Sequence, residues 1–226
     1  MDGFLFRKRL PSKSQQKRNL AEKATAPTIS LVKPYPLQHR ADLFNRKFPQ
    51  LLPLVVGPFA GRDFLHGFWF VSGGNISDFY GSYQVNYLDR INSMFPDKTK
   101  VVHLFSGSLP PSPDYVRVGK DFTGKYKSDF ECDAHELSSY LPFKPDLIFA
   151  DPPYSIQDSD NYGCSMVNRE KVLTECILVL QPQGFIVWMD TAMPLFNKSL
   201  INWAGTINYL RSTGNRYRDI VLFQKA

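Results

Sequence analysis

Asp151-Pro152-Pro153-Tyr154, directly after the apolar run Asp146-Leu147-Ile148-Phe149-Ala150, is the set of residue types in this sequence best suited to chemistry. Two consecutive prolines stiffen the backbone and remove two N–H donors, so the carbonyls around them form a rigid, acceptor-rich rim. A carboxylate and an aromatic ring beside that rim make a receptor for a planar group bearing an NH₂. The lone pair of such an exocyclic amine is delocalised into its ring. Acceptors that draw its two hydrogens toward tetrahedral geometry therefore raise its nucleophilicity toward a sulfonium methyl. The Asp151 carboxylate and the Pro152 carbonyl supply those acceptors, while the Tyr154 ring stacks on a base, a contact worth about 1–3 kcal/mol. A base inside a duplex has to be flipped out to arrive there. The plainer alternative is a surface turn, since Asp and Pro are common turn residues.

A second loop, Phe105-Ser106-Gly107-Ser108, follows the apolar run 101–104. Glycine lets the backbone approach a ligand, and the small hydroxyl neighbours leave room for its polar groups. The loop departs from a Gly-x-Gly fingerprint, and Pro110-Pro111 stand where a phosphate-cradling helix would begin, so it suits a cofactor smaller than a dinucleotide. His135, which follows Asp133-Ala134, is read as a helix cap rather than an acid-base group. Arg211, Arg216, Tyr217 and Arg218 interleave charge with an aromatic ring, either to grip a single strand or as a solvated turn. Asn161, Tyr162 and Gly163 are either a lid over the catalytic loop or a plain surface loop.

These loops need elements to position them. From residue 100, apolar runs at 101–105, 115–118, 147–150, 185–189 and 220–223 read as strands buried on both faces. Helical spacing falls at 134–140, 168–180 and 195–204. This alternation predicts a parallel, doubly wound sheet with ligands beyond the carboxyl ends of its strands. Upstream, prolines 34, 36, 49, 53 and 58 recur too often for long helices, so 29–59 reads as a linker and covering segment. Aromatic residues crowd 64–87 as core padding or a binding wall, and 85–95 reads as a helix closed by Pro96-Asp97.

Composition narrows the class further. No uncharged apolar run approaches the roughly 18 residues that span a bilayer, and no signal-peptide succession is visible, so the reading is a soluble, cytoplasmic protein without a membrane. Cys132, Cys164 and Cys176 lack metal-ligand spacing, which predicts neither a disulfide framework nor a metal site. The net charge is +6, yet residues 1–47 hold 11 Lys+Arg against 3 Asp+Glu. The basic character is thus N-terminal, suited to a phosphate backbone or to a solvated tail.

On these residues the chain resembles the class I S-adenosylmethionine (SAM)-dependent methyltransferases, specifically the amino-group branch of the N6-adenine and N4-cytosine type with its Asp-Pro-Pro-Tyr motif. The likeness covers residues 100–226 and includes Asp133-Ala134 and the turn Leu180-Gln181-Pro182-Gln183-Gly184-Phe185 into a fifth strand. It implies an α/β, Rossmann-like fold: a seven-stranded, mostly parallel, doubly wound sheet ending in a reversed hairpin at 205–210 and 218–225. A basic arm at 1–28 and an extension at 29–99 would precede this domain.

The resemblance also implies SAM as cofactor. Phe105, Ser106, Gly107 and Ser108 would surround its methionine part, with Asp133 on the adenine amine and Ala134 beside the ring. His103 stands where the family often has an acid near the SAM amino group; a core histidine is the other reading. Tyr83 would line a wall over the cofactor or serve as ordinary aromatic packing. The family's ribose acid at the end of strand two has no direct match in Val116-Arg117-Val118-Gly119-Lys120-Asp121, and Asp121 is the nearest candidate. The implied activity is methylation of a DNA or RNA base, adenine N6 first, with nucleic acid as partner. Alternatives are a glutamine amide as acceptor, for which relatives usually carry Asn at the position of Asp151, or a catalytically silent subunit.

Overall fold

The computed structural model describes residues 35–72, 74–75, 82–119, 127–161, 164–212 and 216–226. The basic arm at 1–28 lies outside them. Among the described residues, eight strands form one sheet: β1 (Val55–Phe59), β2 (Arg62–Val71), β3 (Val101–Leu104), β4 (Tyr115–Val118), β5 (Leu147–Ala150), β6 (Phe185–Asp190), β7 (Ile201–Arg211) and β8 (Arg216–Lys225). Their order is β1-β2-β7-β8-β6-β5-β3-β4. β4, β3, β5 and β6 run parallel, and β8 is antiparallel to both β6 and β7.

The reversed hairpin is present, but the sheet has eight strands rather than seven. The difference arises before residue 100, where β1 and β2 pair antiparallel and β2 joins β7 in parallel. Beyond β4, Phe130 makes a single parallel bridge to Val118 in place of a further strand.

The helices are α1 (Leu37–Lys47), α2 (Tyr87–Met94), α3 (Leu137–Tyr140, preceded by a 3₁₀ turn at Ala134–Glu136), α4 (Ile156–Asn161) and α5 (Arg169–Val179). α1 corrects the linker reading. Pro36 and Pro49 flank it rather than interrupt it, and Leu37, Ala41 and Phe44 recur at helical spacing on its buried side. The expected helix at 195–204 is also absent: residues 191–200 are irregular and β7 opens at Ile201. Pairing of Ile201, Asn202 and Trp203 with β8 makes the end of that segment a strand.

Two apolar layers clasp the sheet. One packs α3 and α5 through Leu137, Val172 and Cys176 against Ile148, Ile186 and Trp188. The other packs α1 and α2 through Phe44, Ile91 and Met94 against Trp69, Phe149 and Val187. Full burial of one such side chain contributes about 1.5–3 kcal/mol, so a charge at Ile148 or Val187 would undo a layer.

Candidate active site

All four residues of β5 are buried, and the chain leaves the sheet at Asp151. Pro152 and Pro153 are buried, and the Tyr154 hydroxyl donates to Asp151 Oδ1. From the neighbouring hairpin, the Arg218 guanidinium lies 4.2 Å from the Tyr154 ring centroid. A second arginine holds the loop from below: Arg169, in the first turn of α5, donates from Nη2 to the Tyr154 carbonyl at 3.0 Å. The same guanidinium pairs with Asp190 through Nε (2.6 Å) and Nη2 (3.1 Å). Asp190 ends β6 and is 1% exposed, so the ion pair compensates a desolvated charge.

The electrostatics follow from this enclosure. Burial pushes the Asp151 carboxyl up to about 6; the Arg218 charge and the Tyr154 hydrogen bond pull it down, and Asp190 and Asp158 push it further up. Burial raises Tyr83, Tyr87 and Tyr154 well above the ordinary phenol value, with the Asp151 charge adding to each, so all three remain neutral phenols.

A cavity of ≈ 260 Å³ opens beside the loop, with Leu104, Phe105, Gly119, Asp133, Ala134, Pro153 and Val167 in its wall. Phe105 takes φ 60° and Gly107 φ 51°, both left-handed, so the chain turns sharply off β3. For phenylalanine such a conformation costs of order 1–3 kcal/mol and persists only where surrounding contacts impose it. The turn closes through Leu109 N–H on the Ser106 carbonyl at 3.0 Å. Arg117 braces it: Nη1 donates to the Leu109 carbonyl (3.0 Å), while Nε and Nη2 reach Asp129 (both 3.2 Å). Asp133 caps the 3₁₀ turn, accepting from His135 N–H at 2.9 Å and from His135 Nδ1 at 2.6 Å. His135 Nε2 accepts from Asn168 N–H at 3.0 Å, which ties the wall to α5.

Of the residues singled out in the sequence, Phe105, Asp133, Ala134 and Pro153 meet around this cavity. Ser106 and Ser108 are buried in the adjoining turn, and Gly107 is exposed. The Asp151 side chain does not line the cavity; Pro153, two residues on, does. His103 is a core residue, stacked on Phe149 at 4.4 Å and 7° and bonded through Nδ1 to the Tyr83 hydroxyl at 3.3 Å. Burial lowers it to about 3, which keeps it neutral. Tyr83 stacks on Tyr87 at 5.3 Å in the layer of α1 and α2. Asp121, Tyr162 and Gly163 lie outside the described residues.

Sequence reasoning passed over Arg169, Asp190 and Arg117. An available signal was that Asp190 closes β6 as Asp151 closes the adjacent β5. The cap expected at His135 is supplied by Asp133 instead: His135 lies inside the 3₁₀ turn and donates its N–H to the Asp133 carboxylate. Arg218 leaves the expected surface cluster and turns in to the loop.

Among the described residues there is no group of three or more His, Cys, Asp or Glu able to hold a metal ion. No helix among them is long and apolar enough to cross a membrane.

No family model matches the chain, and no curated protein matches it either. Among solved structures it is similar to TrmN from Thermus thermophilus, with 15% identity and a TM-score of 0.39 over 57% of this chain and 44% of that one. It thus spans less than half of TrmN. It is also similar to an rRNA methylase from Streptococcus thermophilus, at 10% identity and a TM-score of 0.38 over 57% and 87% of the two chains. A third is the N-methyltransferase NodS from Bradyrhizobium japonicum, in complex with S-adenosyl-L-homocysteine, at 7% identity and a TM-score of 0.37 over 93% and 98%. At this level of likeness none of them assigns a reaction to this chain.

Proposed function

We propose that this protein is a SAM-dependent methyltransferase acting on an exocyclic amino nitrogen of a nucleic-acid base, adenine N6 foremost. One observation carries the reading. Pro153 of the Asp151 loop and Phe105 of the turn after β3 border a single cavity that also contains Asp133 and Ala134. The sequence resemblance and the placement of the cavity at the carboxyl ends of β3, β4 and β5 support the same site.

The wall fits the cofactor's flat heteroaromatic part. Ala134, Val167, Leu104 and Pro153 offer apolar faces, and Asp133 in the same wall would accept from the cofactor's amine. When bound, SAM supplies an electrophilic methyl group on a sulfonium sulfur. The chain's own residues then act on the acceptor. The Asp151 carboxylate and the Pro152 carbonyl take the two hydrogens of the amine and localise its lone pair. The Tyr154 hydroxyl and the Arg218 charge hold Asp151 in place and ionised. The base stacks on the face of Tyr154 opposite the guanidinium. Pro152 and Pro153 keep the loop from adjusting, so the geometry is set before the acceptor arrives.

Incubation with methyl-labelled SAM and a panel of DNA, RNA and a glutamine-containing peptide, followed by mass spectrometry of the digests, tests this reading. A methylated nucleoside amine is expected, and label on peptide amide alone would refute it. The variant Asp151→Ala is expected to bind SAM in calorimetry and to transfer no methyl; full activity in that variant removes Asp151 from its role.

A further inference from the structure

Three arginines converge on the hydroxyl of Tyr209. Arg218 is the cross-strand partner of Tyr209 on β8, and Arg211 follows it by two residues on β7, so all three project from the sheet face that α2 covers. Arg90 of α2 reaches the same place, its guanidinium 5.5 Å from the ring centroid of Trp69, the β2 partner of Tyr209. Burial pushes the Tyr209 phenol up to about 12; Arg218, Arg90 and Arg211 each pull it down, and Asp151 pushes it up. The donors gathered here lack acceptors. Gln84 takes the amide orientation that satisfies both neighbours: its Oε1 accepts from Arg211 Nε (2.7 Å) and Nη1 (3.2 Å), and its Nε2 donates to the Tyr209 hydroxyl. The proton of Tyr209 and Nη2 of Arg211 are then left to donate elsewhere. Arg218 lies over the Tyr154 ring and hydrogen-bonds no other described residue. Nη1 of Arg90, a residue 9% exposed, is buried without a partner among the described residues.

We propose that Arg211 and Arg218, with the Tyr209 hydroxyl between them, bind the phosphate of the nucleotide that carries the target base. The inference rests on the reading of the acceptor as a nucleic-acid base. Charge favours it. Among the described residues, Asp151 and Asp158 are the acids that act on Arg218, and Asp151 alone is felt at Tyr209; Asp190, which acts on Asp151, is paired with Arg169. Three guanidinium groups therefore share fewer carboxylates than cations, an arrangement that repels itself until an anion joins it. Guanidinium donors match the several oxygens of a phosphate, and one such group can accept from two arginines and a phenol together. Position favours it as well. Tyr209 and Arg211 lie at the carboxyl end of β7, and β8 stands on the side of β5 away from the cavity that follows β3, β4 and β5. Two strand spacings of about 4.8 Å separate β5 from β8, a span within one nucleotide. The Asp151 loop thus lies between the cavity and the arginines, as the target amine must lie between a methyl donor and its own phosphate.

Calorimetric titration of the full chain with adenosine, adenosine 5′-monophosphate and the dinucleotide adenylyl-adenosine tests the inference, with excess S-adenosyl-L-homocysteine present to fill the cofactor cavity. At least one of the two phosphate-bearing ligands is expected to bind at least about tenfold tighter than adenosine, by a margin that shrinks as salt rises. A margin confined to the monophosphate assigns the site to free nucleotides, and one shared by the dinucleotide to the phosphodiester of a chain. Arg211→Gln should remove most of the margin and leave adenosine affinity as it was. Arg211→Lys keeps the charge without the fork and should retain part of it. Equal affinity for the nucleoside and both phosphates, or a margin that survives Arg211→Gln, overturns the inference. Arg211-dependent binding of an acidic, glutamine-containing peptide, with no phosphate margin, gives the cluster to a polypeptide and overturns it too. A phosphate margin lost in Arg211→Gln, with no methyl transfer to any acceptor, sinks only the enzyme reading.

Discussion

The guanidinium of Arg218 lies over the ring of Tyr154, at 4.2 Å, and the hydroxyl of that ring bonds Asp151. The Tyr154 ring thereby stands between the carboxyl and the cation, touching both. Cation and carboxyl stand 67 residues apart in the sequence (218 − 151) and are brought together by the antiparallel return of β8 beside β6.

The acid side of the pH–rate profile should report this arrangement. Methyl transfer needs Asp151 as a carboxylate, so activity is expected to rise as pH increases through about 6. Arg218→Met removes the charge that pulls this carboxyl down and should move the rise to higher pH, with Arg218→Lys in between. An unmoved profile in Arg218→Met would show that the guanidinium acts on Asp151 in no such way.

Asp151 is expected to lower stability at neutral pH. Its carboxyl ordinarily titrates at 3.8 and here at about 6, so the folded protein holds a proton that the unfolded chain releases. Stability contributed by that proton is present below 3.8 and is lost as pH rises through about 6. Asp151→Asn should therefore abolish transfer yet raise stability by about 1–3 kcal/mol at neutral pH, with little gain under acid conditions. Urea unfolding at a series of pH values measures the difference, and a destabilised Asn variant at neutral pH contradicts the sign.

Removing Arg169 should loosen the catalytic loop and leave Asp190 as an uncompensated buried charge. Arg169→Ala is expected to cost about 3 kcal/mol. Arg169→Leu combined with Asp190→Leu should cost less than Arg169→Ala alone, because the second change removes the stranded charge. Denaturant midpoints of the variants decide this, and equal losses in both would rule out the charge-compensation account.

Ala134→Leu projects side-chain volume at the wall of the ≈ 260 Å³ cavity. SAM affinity measured by calorimetry is expected to fall at least about tenfold. The urea midpoint should change by less than about 1 kcal/mol in free energy. Undiminished SAM binding would place the cofactor elsewhere.

Local chemistry made much of the fold readable. The runs at 101–104, 147–150 and 185–189 are largely apolar on both faces because parallel strands there are covered on both sides, and that pattern needs no knowledge of neighbours. The Asp151 loop was equally legible, since two prolines after a buried strand constrain the chain whatever surrounds it. The hairpin of β1 and β2 was not. Its strand β2 alternates core residues with aromatics instead of polar residues, so period-two spacing is masked by uniform hydrophobicity. α1 was hidden for the opposite reason, because flanking prolines resemble interrupting ones until packing of Phe44 on Trp69 shows which face is buried.

By itself, the sequence determined the strands that carry the loops, the stiffness of Asp151-Pro152-Pro153-Tyr154 and the residue types available for an amine. Tertiary structure alone decided which charges meet there: Arg218 on Tyr154, Arg169 on Asp190, and the neutral His103 inside the core. The reason is physical. Strand periodicity is encoded in near neighbours, whereas desolvation and ion pairing depend on groups brought together from 21 to tens of residues away only when the sheet closes.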